Sequence, residues 1–350
     1  CGTQSLNFQV TYQHGVDHIV KVNASSNQPA ALRACPGEKV IVRYPHSFIT
    51  DNQTSEHYKP LIKIKGSYIE VSNLHLIGAR DQLPQYHYSE NGISLANGGG
   101  LGCRILYNDI ENVGHCGVKE MGHGGHHFLI EGNYIHDVGH TSLDHGIYCP
   151  ADDAIIRKNL ITNSTGWGVH AYTAPARLEI THNIITGHAQ DAIVIGGPDS
   201  RVLHNVFYRN TGGGVFFFRG RCRNNIVKNN IFDEPSGAFR YDNQGSNEPD
   251  KHPQNNLADY NCLSFRTPRG WFSPYDTYGL NNFTAHPQWV DPKNLDFRLT
   301  SIVYALTQAK ILGLAQTAAH FEHARCLRTN TYKLRQELSF DYTQDRLGAG

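Results

Sequence analysis

Short apolar runs of three or four residues recur through the middle of the chain, separated by polar stretches that carry Gly and Asn at fixed places. Within the runs apolar and polar residues alternate, the period of a strand with one buried face. One set of runs begins with Gly or Ala: GISLA from Gly92, GVKEM from Gly117, GIYCP from Gly146, GVHAY from Gly168, AIVIG from Ala192, GVFFF from Gly214 and AFRYD from Ala238. A second set, such as CRIL at Cys103, HFLI at His127 and RLEI at Arg177, precedes a third that opens on Asn. The third set reads NDIE, NYIH, NLIT, NIIT, NVFY and NIFD from Asn108, Asn133, Asn159, Asn183, Asn205 and Asn230, at intervals of 22 to 26 residues.

A period of this size marks a solenoid, whose turns bury their apolar face only by stacking on one another. Three short strands in about 24 residues predict an all-β, right-handed parallel β-helix. Paired-helix repeats are longer and lack Gly and Asn at fixed positions, and the Leu framework of a leucine-rich repeat is absent. Asn suits the bend because it tolerates left-handed backbone angles and its amide can bond the same amide one rung away. Asn261 in DYNCL is expected to extend the ladder beyond an insertion rich in Pro, Asp and Asn.

The flanks carry a resemblance. QPAALRACPGEKVIV (Gln28 to Val42) and LIKIKGSYIEVSNLHLIG (Leu61 to Gly78) resemble the first turns of pectate-lyase-like β-helix proteins, where a PGE turn sits between two strands. NNFTAHPQWVDPKNLDFRLT (Asn281 to Thr300) and SFDYTQDRLGAG (Ser339 to Gly350) resemble the closing segments of bacterial secreted members of that group. The chain departs from the group between Ser301 and Cys326, where the spacing predicts a short helical C-terminal segment. The expected organisation is an N-terminal cap with first turns over 1–66, regular turns over 67–263, and C-terminal turns with a capping segment over 264–350. The resemblance implies a secreted or cell-surface protein acting on polysaccharide. It does not specify the reaction, because the group holds lyases, epimerases, hydrolases and proteins without chemistry.

Composition narrows the field. Lys plus Arg equals Asp plus Glu at 31 each, which leaves no basic footprint for nucleic acid. No apolar run is long enough for a transmembrane span. Cys1 opens two readings, the lipid-anchored residue of a bacterial lipoprotein or the trimmed end of a longer chain. The 8 cysteines form no CxxC pair, which predicts at least one disulfide in an oxidising extracellular, periplasmic or surface location. Cys1 with Cys35, Cys222 with Cys262, and Cys103 or Cys116 with a neighbouring rung are the candidates.

Strand alternation sorts the Gly-led runs into faces. Ile93, Val118, Ile147, Val169, Ile193, Val215 and Phe239 form one inward column, and Lys119, Tyr148, His170, Phe216 and Arg240 fall in the outward one. Rungs about 4.8 Å apart bring Lys119, Tyr148 and His170 together, with His145 beside them. These four are the candidate catalytic residues. A β-elimination across a uronate needs a cation on the carboxylate, a base for the C5 proton and an acid for the leaving oxygen, and this set can supply all three. Trp167, Tyr172, Asp191, Phe216, Phe218 and Arg240 are the candidate substrate-binding residues, since aromatic faces stack on sugar rings. The span from Asp137 to Gly146 is longer than its equivalents, and its insertion HTSLDH (His140 to His145) puts Asp144 where it could orient His145.

No cofactor is expected. The His group at His115, His123, His126, His127, His136, His140 and His145 matches no closed tetrahedral spacing, so Zn²⁺ or Cu²⁺ stands only as an alternative, as does Ca²⁺ on Asp152, Asp153, Asp191 and Asp242. The sequence thus predicts a lyase cleaving an acidic glycan. The alternative is a non-catalytic, glycan-binding or self-assembling surface protein.

Overall fold

The computed structural model describes residues 19–21, 24–35, 37–43, 60–82, 90–95, 100–121, 125–242, 245, 249–265 and 272–300. The helical segment expected between Ser301 and Cys326 lies outside them, as do Cys1 and Cys326. The described residues divide into two units. The larger runs to Arg33 and resumes from Val40 to Pro287, and the smaller holds Ala34–Lys39 and the segment from Gln288 to Thr300.

The larger unit is a right-handed parallel β-helix. Each turn contributes one strand to each of three parallel sheets, which among the described residues hold nine, ten and ten strands. The Gly-led runs form the first sheet, in which Val118 pairs with Ile93 and Ile147, and Val169 pairs with Ile147 and Ile193. Its inward column is almost wholly shielded from solvent, from Ile93 at 0% to Phe239 at 1% exposure. The Asn-led runs form the third sheet. In the smaller unit Trp289–Asp291 pairs antiparallel with Asp296–Leu299, and Trp289 packs edge-on against Phe297.

The Asn column is a continuous hydrogen-bonded ladder. The backbone N–H and the side-chain Nδ2 of Asn108 both donate to Asn133 Oδ1 at 3.0 Å. Asn133 repeats this on Asn159, Asn159 on Asn183, Asn183 on Asn205, and Asn205 on Asn230. Asn261 continues the ladder, and Asn282, which the repeat pattern did not single out, extends it by one more rung. Each Nδ2 spends its other proton on a backbone carbonyl of an earlier turn, as Asn159 does on Ile130 at 2.9 Å.

The left-handed residue is not the Asn itself but the one before it: Tyr107, Gly132, Lys158, His182, His204, Asn229 and Tyr260 all have φ between 55° and 70°. That residue makes the corner, and the Asn after it turns its amide inward. Two further ladders of mixed composition cross other bends. One runs from Ser164 to His188, Asn210 and Glu234, and the other from Ser200 to Asn225, Asn256 and Asp276.

The disulfide expectation fails for the described cysteines. Cys35, Cys103, Cys116, Cys149, Cys222 and Cys262 are all free thiols, so neither the Cys222–Cys262 bridge nor a rung-to-rung bridge at Cys103 or Cys116 forms. Alternation sends Cys149 into the core, where stacked β-turns leave no paired thiol within reach, and burial pushes the thiols of Cys116, Cys149 and Cys262 up to about 12. Among the described residues no helix is long and apolar enough to cross a membrane.

Removing one rung should be costly. Asn159→Ala strips Asn133 of its two-fold acceptor and leaves the Ile130 carbonyl unpaired in a dry interior, so unfolding free energy should fall by about 3–5 kcal/mol in denaturant titration. A loss below about 1 kcal/mol would show that the ladder is ornament.

The His188 rung predicts acid sensitivity. Its Nδ1 accepts from the Ser164 N–H with the Ser164 hydroxyl at 2.6 Å, its Nε2–H donates to the Ile161 carbonyl, and complete burial depresses it to about 3. Folded His188 is therefore neutral while the unfolded chain takes up a proton below about 6.5, so its contribution is present above that pH and lost as pH falls toward 3. His188→Asn keeps a ladder-competent amide and removes this proton, so its melting temperature should fall less steeply than that of the parent between those limits.

Candidate functional site

The outward face of the first sheet presents a run of cations, imidazoles and aromatics. Sheet register places Ser94, Lys119, Tyr148, His170, Val194, Phe216 and Arg240 in one column, rung after rung. Lys119 Nζ lies 5.8 Å from the centroid of the Tyr148 ring, and the Tyr148 and His170 rings meet edge-on at 5.3 Å. The four candidate catalytic residues are thus neighbours, but they are not equally accessible. Lys119 and Tyr148 are half-buried, whereas His145 and His170 are buried at 2% and 9% exposure.

The hydrogen bonds assign the tautomers of the two buried imidazoles. The Trp167 N–H donates to His145 Nδ1 at 3.3 Å, so the proton of His145 sits on Nε2. That Nε2–H donates to His170 Nδ1 at 2.8 Å, so His170 carries its own proton on Nε2. Burial, reinforced by their proximity, holds His145 well below the usual imidazole range, and burial takes His170 down to about 3. Both rings are neutral near pH 7, and His170 offers an N–H donor.

A second chain of groups meets at Lys119. Its ammonium donates to His115 Nε2 at 3.1 Å. His115 Nδ1 must then carry the ring proton, and it lies 3.1 Å from Asp144 Oδ1 and 2.9 Å from Cys116 Sγ. Burial and the Lys119 charge depress His115 to about 4, so the cation of this set is Lys119. Sequence reading paired Asp144 with its neighbour His145, and the structure corrects this. Asp144 Oδ2 accepts the His140 and Thr141 N–H groups at 2.8 and 2.6 Å, closing the HTSLDH insertion, and its other oxygen faces His115 on the turn before. His115 entered the sequence reading only as a metal candidate, because nothing in the linear pattern shows that it stands beneath Lys119.

The six candidate substrate-binding residues divide into two groups. Trp167 packs on His170 at 4.5 Å, Tyr172 on the other side of His170 at 5.3 Å, and Phe218 on Tyr172 at 5.4 Å, a half-exposed aromatic path. The others pair among themselves. Asp191 is completely buried, accepts the Trp167 indole N–H at 3.1 Å and binds the Arg240 guanidinium. Arg240 in turn lies 3.8 Å over the Phe216 ring. Asp191 is therefore an anchor for Trp167 and Arg240 rather than a surface contact, and Phe216 is covered.

The metal alternatives fare as their surroundings dictate. Asp152 and Asp153 both hold Arg177, and Asp242 faces Arg219 at 3.5 Å. His136 is bound between Asp109 and Asp137. Among the described residues no group of three or more His, Cys, Asp or Glu side chains is arranged to hold a metal, and His123 lies outside them.

Residues 91–257 match the family described as right handed beta helix region. No curated protein matches the sequence. Among solved structures, pectate lyase Pel9A is similar at 10% identity and TM-score 0.53, over 82% of this chain and 80% of its own. A Dettilon tailspike protein matches at 14% identity and TM-score 0.46, over 76% of this chain and 59% of its own. The DFA-IIIase of Arthrobacter chlorophenolicus A6 without its lid matches at 15% identity and TM-score 0.48, over 75% of this chain and 65% of its own. This chain thus spans less than two thirds of the latter two proteins. Repeat, ladder, sheet topology and the match to Pel9A agree on one fold: the chain is a right-handed parallel β-helix.

Proposed function

We propose that the outward face of the first sheet is the active site of a lyase that cleaves a uronate-containing polysaccharide by β-elimination. The observation that carries the reading is the alignment of Lys119, Tyr148 and His170 on successive rungs, with a cation, a phenol and a neutral N–H donor facing one strip of surface. The fold shared with pectate lyase Pel9A supports it.

The roles follow from the protonation states. Lys119 is a cation held by His115, and so suits the substrate carboxylate, whose charge grows as the C5 proton leaves. His170 Nε2–H is placed to donate to the same group. Tyr148 as phenolate takes the C5 proton, the C4–O bond breaks with formation of the C4–C5 double bond, and the phenol returns that proton to the leaving oxygen. Tyr148 ends as the phenolate with which it began. Trp167 and Tyr172 stack on the sugar rings at either side. A polymeric glycan is met at the cell surface, in the periplasm or outside the cell, and the proposal carries that location with it.

The test is ultraviolet detection of unsaturated uronate products on pectate, alginate, glucuronan and glycosaminoglycans. Tyr148→Phe should lower turnover by about 10²–10⁴-fold and Lys119→Ala by about 10²–10³-fold with the melting temperature retained. Products from none of the polymers would favour a binding protein, and unchanged rates in both variants would move the site elsewhere.

The pH profile is a separate expectation. Burial raises the Tyr148 phenol above its ordinary value, so the phenolate is scarce at neutral pH. kcat/KM should climb about tenfold per pH unit toward alkaline pH, and a profile that is flat or falls from neutral to alkaline pH removes Tyr148 as the base.

A further inference from the structure

Beyond the Tyr148 patch, the connections from the first sheet to the second enclose a cleft of about 450 Å³. Its aromatic wall is Tyr172 and Phe218, the far end of the stacking path that starts at His170. The rest of its polar lining is mostly cationic, with Arg219, Arg221, Arg223 and Lys251 against a single carboxylate, Asp250. We propose that this cleft is a binding subsite for a negatively charged sugar residue of a glycan lying along the first sheet.

Three observations carry it. The chain as a whole has zero formal net charge, so four cations around one cleft are a local concentration that attracts an anion. Two of the four cations are paired with carboxylates, Arg219 with Asp242 and Lys251 with Asp250, so Arg221 and Arg223 set the positive balance of the cleft. Arg223 is tied to the Gly220 carbonyl at 2.7 Å, Arg219 lies 4.4 Å over the Phe218 ring and 3.5 Å from Asp242, and Lys251 is 3.6 Å from Asp250. Arg221 is exposed. The turn that carries the three arginines is fixed in place, because Gly220 packs so closely on the Asp250 carbonyl that any side chain there would collide with it. The opposite lip holds Thr173 and Ala174 in succession at φ of 70° and 77°, a conformation non-glycine residues adopt at a cost and retain mainly at functional sites.

The spacing suits an extended ligand. Tyr172 lies two residues beyond His170 on its rung, and Phe218 stands two rungs further on, so the cleft begins beside the His170 rung and extends about 10 Å along the axis. A glycan whose scissile bond sits at Tyr148 would place a later sugar in the cleft, where Tyr172 and Phe218 meet its ring and the guanidinium groups its anion. The inference draws on the lyase reading for the saccharide nature of the ligand, but its test needs no turnover.

Binding is measured by calorimetry in the Tyr148→Phe background with four probes: tetragalacturonate, its methyl ester, a mannuronate tetramer and a sulfated glycosaminoglycan tetrasaccharide. The acidic probes should bind and the ester should not, with carboxylate and sulfate preference read from the two kinds of acid. Adding Arg221→Glu and Lys251→Glu should weaken the acidic probes by about tenfold per charge reversed. Arg201→Glu, an exposed charge reversal on the second sheet, controls for net charge and should leave affinity unchanged. Equal affinity with and without the cleft reversals overturns the subsite, as does an absence of binding by every acidic probe. Tight binding that responds to the reversals, where the parent protein with Tyr148 intact releases no unsaturated product from any polymer, upholds the subsite while overturning elimination.

Discussion

Every feature of this molecule depends on a buried amide that has nowhere to find water. Where the second sheet turns into the third, two residues must make the corner and the backbone groups beside it point into a dry stack. The Asn ladder answers both needs: Oδ1 takes two donors from one neighbouring rung, and Nδ2 serves an amide on one side and a carbonyl on the other. An unpaired amide there would cost more than a hydrogen bond contributes on balance, and Asn meets the need because one side chain both accepts and donates along the stack. Six of the seven left-handed residues in front of the ladder Asn are not glycine, and the strain of those corners is offset by the ladder that holds each of them in register.

The ladder is also why the placement of the candidate residues was legible. A fixed period sets the register of all three sheets, and with register known, alternation alone assigns each side chain to core or surface. The inward column from Ile93 to Phe239 and the outward neighbours Lys119, Tyr148 and His170 fall where that reasoning puts them. What the period could not give was anything decided across rungs by loops of irregular length. The link from Asp144 to His115 crosses a turn, so sequence adjacency pointed to His145 instead. The Arg219–Arg223 turn was hidden because its meaning lies in the approach of Asp250 and Lys251 from the next connection. The two mixed ladders escaped notice because Ser, His, Asn, Glu and Asp share no residue type, only the capacity to accept a backbone N–H. Disulfides were expected on composition, a statement about compartments that carries no geometry.

Burial and charge are distributed along the face with some economy. Solvent is excluded from His145 and His170, which depresses them into neutral donors and acceptors with fixed tautomers, while the cations stand at the two ends: Lys119 at one, the arginine turn at the other. Neutral imidazoles between two cationic regions add no charge of their own to the face. Asp191 and Arg240 satisfy each other, and their pairing fixes the Trp167 indole that covers the imidazoles.

The HTSLDH insertion shows how a regular scaffold gains a local charge without losing its register. Four extra residues would leave unpaired N–H groups in a bend that the other turns close with fewer. Asp144 takes two of them on one oxygen, and the ladder contacts of the flanking strands are undisturbed, as Gly139 N–H still reaches the Val113 carbonyl at 2.8 Å. The remaining oxygen is buried and faces His115, so a device that closes a loop also sets an anion behind the imidazole that holds Lys119. The carboxylate favours a protonated His115, Lys119 opposes it, and burial decides the contest for the neutral ring. A neutral His115 can only accept from Lys119 at Nε2, which fixes the direction of that hydrogen bond and leaves the ammonium charge on the outward face of the sheet.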